Sequence, residues 1–269
     1  MPDKLIIFDY SGTLSLEMAA FARPDNLMQH LKSSGLFTLG VDSKALFWEI
    51  INATWEKGST TKLGYKKVMR ECICKLFPEI AESRKPEIVS AISHFVDAYL
   101  DHSRIDEHWR SILQELSADK SVQVIIATDH YAEATNVIIK CLGVWNIQAT
   151  TTKAGIKDNF NVAYSADIGA HKAESKFWET VRANCDIDVK RALLIDDFGA
   201  NEQSADAYAQ AKEISRRQQK TINLLENVFS AQVECFSFQA PEAPIGYLIS
   251  QVSAKIRQFL SDGKSENIV

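Results

Sequence analysis

The stretch Lys4-Leu5-Ile6-Ile7-Phe8-Asp9-Tyr10-Ser11-Gly12-Thr13-Leu14 decides how the rest of the chain is read. Its apolar run does not alternate, so it reads as a short strand buried on both faces, the kind found in parallel sheets. A carboxylate follows at once, in turn-forming company. Two further runs share this character: Val122-Gln123-Val124-Ile125-Ile126-Ala127 and Ala192-Leu193-Leu194-Ile195. They run into Thr128-Asp129 and Asp196-Asp197. Another strand is expected from Val233 to Phe238, and one or two short ones before Ser165. Helical periodicity fills the intervals: a helix carrying Trp109, Ile112, Leu113 and Leu116, then about Ala132 to Leu142, ended by Gly143. Others run from about Ala173 to Ala183, onward from about Asn201, and from Ile245 to Leu260. Strands alternating with helices predict an α/β chain, its parallel sheet covered by helices on both faces.

One block breaks the alternation. From about Leu16 to Ser103 only helices are expected. Pro24 opens one and Gly35 closes it, in keeping with proline at helix starts and glycine just past their ends. Asp42 or Ser43 caps a second, which runs to Gly58. A third covers roughly Lys62 to Phe77, and a fourth roughly Pro86 to Leu100. The expected organisation is a core of residues 1–15 and 104–269, with residues 16–103 inserted as an all-helical domain.

The 269 residues are 46% hydrophobic and 24% charged, which excludes a disordered or fibrous chain. Thirty basic against thirty-five acidic residues give a net charge of −5 with no basic run, so no nucleic-acid partner is expected. No apolar stretch reaches the roughly 18 residues of a membrane helix, and no membrane partner is expected either. The N-terminus lacks the length of a signal peptide. The five cysteines (Cys72, Cys74, Cys141, Cys185 and Cys235) are scattered and odd in number. They read as structural thiols in a reducing, cytoplasmic compartment. Nothing in the sequence fixes an oligomeric state.

In an open parallel sheet, ligands bind beyond the carboxyl ends of the strands. Three of the buried strands deliver Asp9, Thr128 and the Asp196-Asp197 pair to that edge. Three carboxylates converging on one place would raise one another's pKa values unless a cation were present. A hard divalent ion with oxygen ligands resolves the repulsion, and Mg²⁺ is the common choice beside phosphate.

The order of these segments resembles the four motifs of the haloacid dehalogenase superfamily. Asp9-Tyr10-Ser11-Gly12-Thr13-Leu14 looks like the first and Thr128 the second. Lys172, ahead of Phe177-Trp178 in a helix that opens with the lysine, looks like the third. Leu194-Ile195-Asp196-Asp197 with Asn201 looks like the fourth. The likeness covers roughly residues 4–14 and 105–210. It implies a Rossmann-like core, with the helical block as a cap over the site. It also implies a hydrolase acting on a small phosphorylated metabolite through an aspartyl phosphate on Asp9. Asp9, the backbone carbonyl of Ser11, Asp196 and Asp197 would hold Mg²⁺. Thr128, the N–H of Asp129, Gly12 and Lys172 would receive the phosphoryl group, with Lys172 also neutralising Asp9.

One position departs from the pattern. Phosphatases of this superfamily usually place a second Asp two residues after the nucleophile, to protonate the leaving group and then activate water. Here Ser11 stands there, and a hydroxyl cannot do that work near neutral pH. Two alternatives follow: a phosphonate C–P hydrolase using a cap lysine (Lys44, Lys57, Lys62, Lys66 or Lys67), or a non-catalytic phosphate-binding relative. Pro often follows the motif lysine, where this chain has Ala173; Lys176 is a weaker substitute for the lysine itself. His130 and His171 flank motif residues and read first as loop or capping residues. Phe47, Trp48 and Trp55, at helical spacing, read as cap core.

Overall fold

The computed structural model describes residues 2–154, 159–184, 188–203, 205, 206, 209–240 and 244–262. In chain order its elements are β1 (Lys4–Phe8), α1 (Leu16–Phe21), α2 (Pro24–Ser34), α3 (Lys44–Ser59), α4 (Tyr65–Leu76), α5 (Pro78–Ser83) and α6 (Lys85–Asp101). Then come α7 (Arg110–Ala118), β2 (Val122–Thr128), α8 (Ala134–Val144), β3 (Thr150–Thr151), β4 (Phe160–Tyr164) and α9 (Ser165–Ile168). The chain continues with α10 (Ser175–Asn184), β5 (Arg191–Asp196), α11 (Ala211–Phe229), β6 (Gln232–Ser237) and α12 (Ile245–Ser261). Cys185 and the tail beyond Asp262 lie outside the described residues.

The six strands form one parallel sheet in the order β3-β4-β2-β1-β5-β6, a Rossmann-like arrangement. Successive residues of β1 point to opposite faces. Ile6 and Phe8 enter one apolar cluster with Trp109, α7, α8 and α12, whereas Leu5 and Ile7 enter another with α10 and α11. That is why the run shows no alternation of polarity: both faces are dry. Helices α1 to α6 pack around a third cluster, centred on residues such as Leu31, Ile50, Met69 and Phe95.

The two passages between this helical block and the sheet are tied together. The Tyr10 hydroxyl donates to the Ser103 carbonyl. The Asp106 N–H donates to Leu14 O at 2.9 Å, and the Trp109 indole N–H to Thr13 O at 3.1 Å. Hydrogen bonds across the hinge fix the block over the carboxyl edge of β1.

Several element boundaries differ from the sequence reading. Gly64, at φ +79°, delays α4 to Tyr65, and Pro78 opens a separate short helix. Gly143 does not end α8, which continues to Val144. Lys172 sits in a turn three residues before α10 rather than opening it. The helix expected from Asn201 begins at Ala211, because Asn201 is committed to loop contacts.

Candidate active site

β1 lies between β2 and β5, with Phe8 in register with Ile126 and Ile195. The residue after β1 therefore meets the ends of both neighbours. The Asp9 N–H donates to Ile195 O at 2.9 Å, and the carboxylate oxygens of Asp9, Asp196 and Asp197 lie within 4.8 Å of one another, all buried. The Lys172 ammonium donates to Asp9 Oδ1 at 2.5 Å and to Asp196 Oδ2 at 2.8 Å. Lys172 is 3% exposed, and its backbone is anchored at both ends. Its N–H donates to Asp129 Oδ1 at 2.9 Å, while its carbonyl accepts the Trp178 indole N–H at 2.7 Å. The Asp129 carboxylate thus positions the lysine's loop, a role that the sequence does not reveal.

The loop after β5 is held by its own acids. Phe198 N–H donates to Asp196 Oδ1 at 2.6 Å, and Asn201 N–H to Asp197 Oδ2 at 2.9 Å. The Asn201 side-chain amide donates to Gly12 O at 2.7 Å and Phe238 O at 2.9 Å, joining the loops after β1, β5 and β6. Gly12, at φ +72°, is required for closeness to the acids: a Cβ there would stand 2.5 Å from Asp197 Oδ2. Thr128 ends β2 with a buried hydroxyl that has no hydrogen-bond partner among the described residues. Such a group costs free energy unless a ligand satisfies it.

Three buried carboxylates against the Lys172 ammonium leave the cluster short of positive charge. Burial pushes Asp9 well above the usual carboxylate range; Lys172 offsets part of that, and Asp196 and Asp197 add to it. Burial, then the charges of Asp196 and Glu202, push Asp197 up to about 8. All-oxygen donors, buried and mutually repelling, fit a hard divalent cation.

Glu202 is the residue that the sequence did not signal. The Ser11 hydroxyl donates to Glu202 Oε1 at 2.5 Å, so a carboxyl group stands beside the position where the motif lacks one. Burial is the main cause that raises Glu202 to about 7, the Ser11 hydrogen bond opposing it. A single Glu in a loop has no periodicity or spacing to mark it; only the packing of the β5 loop against the β1 loop brings it here.

Above these residues lies a cleft whose wall includes Phe21, Phe47, Trp48, Ile51, Trp55 and Phe95. The aromatic residues of α3, expected in the cap core, therefore serve both: Phe47 is buried among the helices and Trp48 and Trp55 are half-buried at the cleft. Among the described residues none of Lys44, Lys57, Lys62, Lys66 and Lys67 lines it. Lys57, Lys62 and Lys66 instead pair with Glu71, Asp167 and Asp97. Lys176 points to Gly169 O at 3.2 Å. His171 bonds Ser59 Oγ at 2.7 Å and stacks on Trp55, joining the helical block to the core.

His130 is buried at the cleft with Nε2 2.8 Å from the Tyr99 hydroxyl, and burial lowers its pKa from 6.5 to about 4. A depressed histidine stabilises the fold above its unfolded pKa, and that stabilisation fades as pH falls toward the folded value. The protein is expected to lose on the order of 3 kcal/mol between pH 6.5 and 4 from this group. Urea titrations at pH 7 and pH 4.5 check it: the acid-induced drop should be smaller in His130→Gln, and an equal drop would assign it to other groups.

No protein-family model matches the sequence, and no curated protein matches it. Among solved structures the chain is similar to a 2-haloacid dehalogenase from Pseudomonas syringae pv. tomato, at TM-score 0.51 and 15% identity, over 94% of this chain and 100% of that one. It is also similar to a HAD-family enzyme from Bacteroides thetaiotaomicron, solved with magnesium and inorganic phosphate, at TM-score 0.45 and 14% identity, over 89% of this chain and 96% of that one. An L-2-haloacid dehalogenase from Xanthobacter autotrophicus with covalently bound chloropropionic acid matches at TM-score 0.45 and 11% identity, over 93% and 88% of the two chains. The first of these likenesses establishes that the chain has the haloacid dehalogenase fold.

Proposed function

We propose that this protein, on its haloacid dehalogenase fold, is a Mg²⁺-dependent hydrolase of the superfamily that removes phosphate from a small molecule through an aspartyl phosphate on Asp9. The observation that carries the reading is Lys172 bridging Asp9 and Asp196 inside the three-carboxylate cluster. An anionic nucleophile must approach an anionic phosphate, and this site concentrates the means to neutralise both. Asp9, Asp196, Asp197 and the Ser11 carbonyl would hold Mg²⁺. When bound, the ion supplies the positive charge that screens nucleophile and phosphoryl oxygens from each other.

The chain's own groups carry the proton transfers. Asp9 forms a bond to phosphorus as the ester P–O bond breaks, with the Lys172 ammonium and Thr128 hydroxyl hydrogen-bonding the phosphoryl group. The Glu202 carboxyl protonates the departing alkoxide. The resulting Glu202 carboxylate then takes a proton from water as that water attacks phosphorus, releasing phosphate and regenerating Asp9. The pKa of Glu202, about 7, suits a group that must give and then take a proton near neutrality. This supports the phosphatase reading against the gap that Ser11 leaves. The cap-lysine phosphonate reading has no support in the cleft lining.

Free thiols at Cys72, Cys74, Cys141 and Cys235 support a reducing compartment, the cytoplasm. Among the described residues no helix is long and apolar enough to cross a membrane.

Pre-steady-state hydrolysis of p-nitrophenyl phosphate with Mg²⁺ tests the mechanism. p-Nitrophenolate leaves without a proton, so Glu202→Gln should keep a stoichiometric burst while steady turnover falls by roughly a hundred- to a thousandfold. Adding Ser11→Asp to that variant should restore part of the turnover. In the wild type the same Asp would crowd Glu202. Unchanged turnover in Glu202→Gln would remove Glu202 from the mechanism.

A further inference from the structure

The cleft over Asp9 carries its charged groups on one side. Asp9, Ser11, Asp129, His130, Asp197, Glu202 and Asp206 reach it from the loops after β1, β2 and β5. The opposite wall, from α1, α3 and α6, is Phe21, Phe47, Trp48, Ile51, Trp55 and Phe95. These rings brace one another: Phe47 meets Trp48 and Phe95 at ring-centroid distances of 5.4 Å, and Phe21 meets Phe95 at 5.5 Å. Among the described residues no lysine or arginine lines the cleft, and no Ser, Thr, Asn or Gln stands on this wall. His130, with its depressed pKa, is neutral at pH 7.

A second phosphate or a carboxylate on the substrate would need a cation at the wall, and a sugar would need hydrogen-bonding partners for each hydroxyl. Neither is present. The tyrosines Tyr65, Tyr99 and Tyr131 also line the cleft; Tyr99 already hydrogen-bonds His130, and the Asp206 carboxylate acts on Tyr65 and Tyr131. An apolar group, in contrast, would be buried against several aromatic faces at no polar cost. It would also leave Glu202 in a dry setting.

We infer that the substrate is the phosphate monoester of an uncharged, apolar alcohol, arylalkyl or alkyl, whose hydrocarbon part lies under the aromatic wall of α1, α3 and α6 while its phosphate meets Asp9. This specificity rests on the phosphatase reading above and adds the leaving group to it. Sugar phosphates, bisphosphates and nucleotides are disfavoured by the same wall. Trp48 is a specificity residue: it touches the hydrocarbon and takes no part in phosphoryl transfer.

Two measurements on the full-length protein with Mg²⁺ test this. The first is kcat/KM for 2-phenylethyl phosphate, glucose 6-phosphate, fructose 1,6-bisphosphate and phosphocholine. The expected order puts 2-phenylethyl phosphate first by about a hundredfold, and Trp48→Ala lowers its kcat/KM about tenfold, mostly through KM. Equal or better turnover of the sugar phosphates or of phosphocholine overturns the inference and leaves the phosphatase reading standing. The second is binding of the same four esters to Asp9→Asn, followed by tryptophan fluorescence. If none is hydrolysed by the wild type yet 2-phenylethyl phosphate binds more tightly than the others, the apolar subsite stands and phosphoryl transfer falls. If it binds no better than glucose 6-phosphate, the subsite falls.

Discussion

Replacing Asp9 with Asn is expected to lower turnover by about four orders of magnitude or more, leaving the fold intact. The amide matches the carboxylate in size, so the end of β1 and its bond to Ile195 O need not move. On the proposed mechanism the nucleophile is lost: an amide oxygen does not form a stable acyl phosphate, so no burst of p-nitrophenol should appear at any enzyme concentration. The same change removes one of three carboxyl groups whose charged form burial already disfavours. Without added Mg²⁺ the variant should therefore melt no lower than the wild type. Quench-flow and a thermal melt suffice. A residual burst would mean that another group attacks phosphorus, and the assignment of Asp9 would be wrong.

Lys172→Met should cost nearly as much activity, on the order of a thousandfold, and should also destabilise the protein. The Lys172 side chain is 4% exposed, and its ammonium contacts two buried acids at 2.5 and 2.8 Å. Methionine fills much of the same volume but leaves Asp9 and Asp196 facing each other without the ammonium between them. Breaking a buried ion pair on one side typically costs about 3–5 kcal/mol. Mg²⁺ should recover part of that stability, because it would meet the same carboxylates, but little of the activity. Denaturant titrations with Mg²⁺ and with EDTA separate the two effects. If Lys172→Met were as stable as the wild type in EDTA, the charge deficit described for this cluster would be incorrect.

Both variants act on residues that local sequence pattern alone picks out. Asp9, Asp196, Asp197 and Lys172 follow or precede strongly patterned segments, and an apolar strand with a carboxylate at its end is visible as a string of letters. The parallel sheet was legible for the same reason: β1, β2 and β5 are dry on both faces, and dryness leaves an unbroken apolar run. The end of α2 at Gly35 was equally local, and so was the cap of α3, expected at Asp42 or Ser43 and found at Ser43.

Other features depend on contacts between residues far apart in the chain, which no local pattern encodes. Pairing β1 with β2 and β5 in one register brings Asp9 beside Asp196, and the sequence contains the acids without their distance. Glu202 became a partner of Ser11, 191 residues away, only when the two loops packed together. Asp129 was expected to serve through its backbone, yet its carboxylate holds the Lys172 turn. Phe47, Trp48 and Trp55 have the spacing of ordinary core residues, and the placement of α3 across a cleft from the loops at the sheet edge made part of that core a wall. The strands, the helical stretch between β1 and β2 and the acids at the sheet edge could be read from the residues alone, because they follow from local polarity and backbone preference. Which acid stands beside Ser11 and which side chains line the cleft belong to the tertiary structure, because both depend on the surfaces that the fold brings into contact.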